Sequence, residues 1–183
     1  VPQGTVGAGT GCRIGAMMGN EYATKGGLGC ARVDLGDGLI VAALMVVNAV
    51  GDVIDKDGTI MAGLRQPSGD KAFVGMMNTM MAMARMVDPP ASENTVIGVV
   101  ASNARLNKEQ TNKVAQMAHD GLARAVRPAH SMFDGDTIFA LSTGQIPANV
   151  NAIGAYAAEV VEQAIRNAVR AATTLGGVRS WQD

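Results

Sequence analysis

The chain has 183 residues, with 15 Lys+Arg against 16 Asp+Glu and a formal net charge of −1. That balance argues against nucleic acid or an anionic membrane surface as the main partner, since both select a basic excess. A hydrophobic share of 48% against 17% charged argues against disorder and provides the core of one domain rather than two.

Residues 4–29 are punctuated by glycines and read as loop-rich. Residues 30–35 and 39–49 are β-compatible, and Gly36-Asp37-Gly38 between them reads as a hairpin turn. The apolar run 39–47 ends at Asn48, far too short to span a bilayer, and reads as a buried strand. A third strand or arm is expected over 52–61, turning at Asp57-Gly58. Phe73, Met76/Met77, Met80/Met81, Ala84 and Val87 recur at helical spacing and predict a helix that fills a core or an interface. Asp88-Pro89-Pro90 stops it, and a short polar loop reaches Asn94. Residues 95–102 are apolar and β-branched, a strand opened by Thr95. Asn107 is placed to cap a helix over about 108–126 with Val114, Ala118, Leu122 and Ala125 inward, and Pro128 ends it. Asp134-Gly135-Asp136 turns into a strand over 137–142. Asn149 or Asn151 caps a last long helix with Ile153, Ala157, Val160/Val161 and Ala164 inward. The fold class is α+β, with mixed sheets layered against helices.

Chemistry-bearing residues are few. Cys12 and Cys30 make neither a disulfide framework nor a Cys-x-x-Cys site. With only His119 and His130 to draw on, no metal site and no cofactor are expected. The glycine-rich opening lacks both the Gly-x-Gly-x-x-Gly and the Walker spacing. No Gly-x-Ser-x-Gly elbow accompanies the histidines, so His119 and His130 each read as a helix-surface or capping residue. Two features remain: the paired carboxylates of Asp134 and Asp136, which repel at close range unless a cation sits between them, and Asn94-Thr95 where a loop enters a buried strand.

The stretches GTVGAGTG (4–11), KGGLG (25–29), VVNAVGDV (46–53), NTVIGVVA (94–101), AHDGLARAVRP (118–128) and FDGDTIFALSTG (133–144) occur in that order. Together they resemble the D-aminopeptidase/esterase family, which includes β-aminopeptidases and 6-aminohexanoate-oligomer (nylon-oligomer) hydrolases. The resemblance implies part of a layered α/β/β/α N-terminal-nucleophile sandwich, a single domain over 1–183 from the C-terminal part of a larger precursor. It implies a self-cut between Asn94 and Thr95 that leaves 1–94 as one subunit part and 95–183 as the other. Thr95 is then the nucleophile, with its new α-amine as base, and Asn48 donates to the oxyanion, a contribution of about 3–4 kcal/mol. Asp134 and Asp136 match the acidic pair of the nylon-oligomer branch; β-aminopeptidases place Ser and an acid there. Where that branch carries a lysine directly after the glycine-rich stretch this chain has Ala16, and Lys25 is the nearest lysine, a substrate-side residue by position.

The implied activity is hydrolysis of amino-acid amides, peptides or ω-/β-amino-acid oligomers. The alternatives are an acyltransferase of the same fold, similar to ornithine acetyltransferase, or a non-catalytic uncleaved subunit. The implied partners are a small amide or peptide substrate, an upstream segment of the same precursor carrying further sheet strands, and further copies in a homo-oligomer. The expected location is cytoplasmic, with any targeting signal upstream of Val1.

Overall fold

The computed structural model describes residues 1–66, 72–86 and 94–183. Val87, the Pro89-Pro90 stop and the polar loop before Asn94 lie outside the described residues.

Two short strands, β1 (Arg13–Ile14) and β2 (Thr24–Lys25), pair antiparallel inside the glycine-rich segment. β3 (Gly27–Asp34) and β4 (Ile40–Asn48) form the expected hairpin, and β5 (Asp52–Ile54) with β6 (Ile60–Ala62) form the turned arm. α1 (Met76–Met83) is followed by β7 (Thr95–Ala104), α2 (Lys108–Ala125), β8 (Val126–Arg127), β9 (Thr137–Ile146) and α3 (Val150–Ala171). The main sheet has the order β3-β4-β7-β9, antiparallel except for the parallel β7–β9 pair, and β6-β5-β8 form a second, smaller sheet. The fold is α+β.

Strand alternation builds the core. Val41, Ala43, Met45 and Val47 of β4 are buried with Val96 and Val100 of β7. On this side lie the apolar stripes of α2 (Val114, Ala118, Leu122) and α3 (Ile153, Ala157, Val161, Ala164, Ala168), which complete one contiguous cluster. Asn107 caps α2 as expected: its side-chain oxygen accepts the Gln110 N–H, and the Gln110 side-chain oxygen accepts the Asn107 N–H. Of the two candidates for α3, Asn149 is the cap, accepting from the Asn151 N–H at 2.8 Å.

Several boundaries differ from the sequence reading. β3 starts at Gly27, not at residue 30, because glycine there permits close packing: a Cβ on Gly29 would lie 2.0 Å from the Ala164 carbonyl oxygen of α3. The strand expected over 95–102 runs on to Ala104, and that over 137–142 continues to Ile146, since ladder pairing extends past the apolar runs. Phe73 is not helical but bridges Arg65, and α1 is only eight residues long. Of the α1 methionines only Met76 is buried, while Met77 and Met81 are exposed. Among the described residues no helix is long and apolar enough to cross a membrane.

Candidate active site

The register of the main sheet gathers the residues singled out in the sequence. β4 runs antiparallel to β7 and β7 parallel to β9, so the end of β4 and the starts of β7 and β9 share one edge of the sheet. Asn48, the last residue of β4, is the ladder partner of Thr95, the first of β7. Asn94, almost fully buried, forms a parallel bridge with Asp134 just before β9. Three segments of sequence separated by tens of residues therefore meet around the Asn94–Thr95 peptide.

At that peptide the Thr95 hydroxyl donates to the carbonyl oxygen of its own predecessor, Asn94, at 2.6 Å. The same oxygen accepts the Gly135 backbone N–H at 3.0 Å. Gly135 must be glycine for that approach, because a Cβ would lie 2.9 Å from Thr95 Oγ1. The carbonyl is thus polarised by a fixed backbone donor while a hydroxyl lies against it. Asn48 Nδ2 faces the same residue, reaching the Asn94 side-chain oxygen at 3.4 Å. The Arg13 N–H donates to Asn48 Oδ1 at 2.9 Å and so fixes which end of the amide faces the site.

The two carboxylates of the Asp-Gly-Asp turn are each held by their surroundings. Asp134 Oδ2 accepts from the Ser131 hydroxyl at 2.6 Å and the Ser131 N–H at 3.2 Å, and its Oδ1 faces the Val50 N–H at 3.4 Å. Asp136 Oδ1 accepts from the N–H of Val96, the residue after Thr95, at 3.0 Å. Its Oδ2 accepts from the His130 N–H at 3.3 Å and lies 3.1 Å from the His130 Nδ1. In the uncut chain, then, the pair grips the loop and the strand on either side of the threonine, and the hydroxyl itself is bonded to Asn94.

The histidines, read from the sequence as helix-surface or capping residues, come together: the rings of His119 in α2 and His130 in the turn lie 4.9 Å from each other, and His130 joins Asp136. Burial, with the neighbouring His130, lowers the pKa of His119, and Asp136 opposes the shift. The sequence signal available was the spacing of His130 and Asp136 after Pro128, which by itself fixes no geometry.

Lys25 is placed next door rather than at the peptide. Its ammonium is buried and donates to the carbonyls of Cys12 at 2.7 Å, Gly9 at 3.2 Å and Gly26 at 3.3 Å. Burial pushes its pKa down. It pairs across the β1–β2 ladder with Arg13, the residue that orients Asn48. Its direct contacts brace the glycine-rich loop. Among the described residues no three His, Cys, Asp or Glu side chains converge as metal ligands would.

The model of peptidase family S58 matches residues 1–182. This chain belongs to peptidase family S58. It is 37% identical over 204 residues to an uncharacterized aminopeptidase of Mycobacterium leprae, covering 99% of this chain and 52% of that one. It is 31% identical over 182 residues to the 6-aminohexanoate-oligomer endohydrolase of Paenarthrobacter ureafaciens, covering 91% of this chain and 50% of that one. Its fold matches the L-aminopeptidase D-Ala-esterase/amidase of Ochrobactrum anthropi, described as a variant of the Ntn hydrolase fold, with a TM-score of 0.61 at 22% identity over 98% of this chain and 48% of that one. The chain spans about half the length of these relatives.

Proposed function

We propose that the protein is a self-processing amidohydrolase of the S58 family in which Thr95 is the nucleophile, released by cleavage of the Asn94–Thr95 bond. The observation that carries this reading is the Thr95 hydroxyl at 2.6 Å from an Asn94 carbonyl oxygen that Gly135 N–H already holds. Attack of Thr95 Oγ on the Asn94 carbonyl carbon puts negative charge on that oxygen, where the fixed N–H stabilises it. The C–N bond then breaks to an ester, the departing amine takes the hydroxyl proton, and water hydrolyses the ester to an Asn94 carboxylate and a free N-terminal threonine. The new α-amine, whose ordinary pKa of about 7.7–8.0 leaves a neutral fraction near pH 7 to 8, serves as the base for the same hydroxyl.

With Asn94 gone from the peptide, Asn48 Nδ2 and Gly135 N–H are the donors left for a substrate oxyanion. Asp134 and Asp136 then orient the α-amine and hydroxyl. The substrate class is amides of amino acids, peptides, or ω-/β-amino-acid oligomers, supported by the aminopeptidase and oligomer endohydrolase among the relatives. These relatives are hydrolases, so the acyltransferase alternative is not favoured. An apolar cavity of about 280 Å³, lined by Met18, Tyr22, Leu64, Arg65, Val74 and Thr79, supports a substrate with an apolar portion. Tyr22, Leu64 and Val74 also pack with Val50 and Phe133, the latter beside Asp134.

The reading includes an upstream segment of the precursor, a homo-oligomeric assembly and a cytoplasmic location, the last supported by two unpaired cysteines. Mass analysis and N-terminal sequencing of the protein expressed from its full reading frame test the central claim. The expected result is a new N-terminus TVIGVV in the wild type and a single uncut chain in Thr95→Ala. A wild-type protein that stays uncut overturns the reading and leaves the non-catalytic uncleaved subunit; one cut elsewhere overturns the assignment of Thr95.

A further inference from the structure

His130 has a left-handed backbone, with φ of 57°, which a non-glycine residue adopts only where its surroundings hold it. The conformation has a visible consequence. It turns the His130 N–H and the ring Nδ1 toward the same atom, so both meet Asp136 Oδ2, at 3.3 and 3.1 Å. The other oxygen of that carboxylate holds the N–H of Val96 at 3.0 Å, one residue beyond Thr95. The Asp136 side chain is only 4% exposed, so these donors, more than water, set its orientation. Behind the ring stands His119, whose own pKa burial lowers. A second imidazole against the first restricts the rotamers open to it.

We propose that His130 is a positioning residue for the threonine chemistry: it clamps Asp136 from backbone and ring at once, and Asp136 in turn fixes the start of β7 that carries Thr95. The inference rests on the Thr95 reading above. It assigns the ring Nδ1 the role of hydrogen-bond donor, and therefore the bearer of a proton. His119 is the packing support of that ring and makes no contact with the carboxylate in the chain of bonds described.

Two substitutions separate the ring from the backbone. His130→Gly keeps the left-handed conformation at no steric cost and removes the ring donor. His130→Asn places an amide N–H where Nδ1 stood and also tolerates the left-handed region. In the protein expressed from its full reading frame, His130→Gly is expected to slow self-cleavage at Asn94–Thr95 at least about tenfold, since small misplacement of reacting groups carries a large rate penalty. In the processed protein the same variant should lower kcat and leave KM unchanged. His130→Asn should restore both rates close to wild type, which a role in packing alone would not produce. A nitrogen-15 spectrum of the wild-type histidines adds a readout that depends on no variant: His130 Nδ1 should carry its proton at neutral pH. Wild-type cleavage left unchanged by His130→Gly, failure of His130→Asn to restore it, or an unprotonated Nδ1 overturns this inference alone. Absence of wild-type cleavage overturns the Thr95 reading and this one with it.

Discussion

A carboxylate that accepts three hydrogen bonds differs from a carboxylate on an ordinary turn, and Asp134 and Asp136 are both of the first kind. Replacing either by Asn keeps the shape but exchanges one acceptor oxygen for a donor. At Asp136 the new amide would face either Val96 N–H or the two His130 donors; at Asp134 it would face either Val50 N–H or the Ser131 pair. Under the proposed roles, Asp134→Asn and Asp136→Asn should each lower kcat at least about a hundredfold, which is roughly 2.7 kcal/mol of barrier. Because the lost acceptor leaves a donor unpaired, each should also lower unfolding free energy by about 1–3 kcal/mol. Steady-state kinetics and denaturant titration read the two effects separately. Near-normal turnover in both variants would reduce the pair to structural anchors. The resemblance of the sequence blocks implied the acids as companions of Thr95; Ser131, His130 and Gly135 as their fixed neighbours were not legible.

At the scale of elements, the arm β5–β6 and helix α1 are joined by a single buried acid. Asp52, 2% exposed, accepts the Met76 N–H at 2.5 Å and the Leu64 N–H at 3.3 Å. It thereby caps α1, whose own N-cap is Gly75 and carries no side chain. Burial is the largest influence on it and raises its pKa from 3.8 to about 6, against the lowering effect of the two N–H donors. Between these values the folded protein holds a proton that the unfolded chain has released. Stability therefore falls as pH rises from about 4 to 6, by an amount on the order of 3 kcal/mol, and stays at the lower level above that window. Urea titrations across pH 4–7 should show this slope in the wild type and lose it in Asp52→Asn. A wild-type slope equal to that of the variant would remove Asp52 as its source. The sequence placed Asp52 at a strand start but held no sign that its carboxylate closes a helix 24 residues away.

Across the whole molecule, α2 and α3 occupy one side of the main sheet. On the other side Ile97, Phe139 and Leu141 are exposed, and Asn48 and Thr95 share that side by strand alternation. The exposed methionines form a second apolar feature, with Met77 at 59%, Met81 at 74% and Met86 at 59%. Exposed apolar surface on this scale marks an interaction surface more often than free solvent contact. With the proposed homo-oligomer, light scattering at micromolar concentration should find an assembly larger than one chain. Met77→Lys with Met81→Lys should shift it toward smaller species if α1 lies in the contact. A strict monomer in the wild type would count against assembly, and an unshifted double variant would move the contact away from α1.

The sequence by itself determined most of the elements and the family. Apolar periodicity, the Asn107 cap, and the Gly36–Gly38 and Asp134–Asp136 turns are local properties, written within a few residues. The resemblance of the ordered blocks implied Asn48 and the acids as companions of Thr95 without any coordinates. Tertiary structure alone decided which atoms meet. The bonds that define the site link Arg13 to Asn48, Val96 to Asp136 and Val50 to Asp134, separated by 35, 40 and 84 residues. Strand register sets such contacts, and a slip of one residue would turn every side chain to the opposite face. Local periodicity carries no record of that register. For the same reason the ring pair of His119 and His130, the donor role of Gly135 and the burial of Lys25 among three carbonyls appear only when the sheet is assembled.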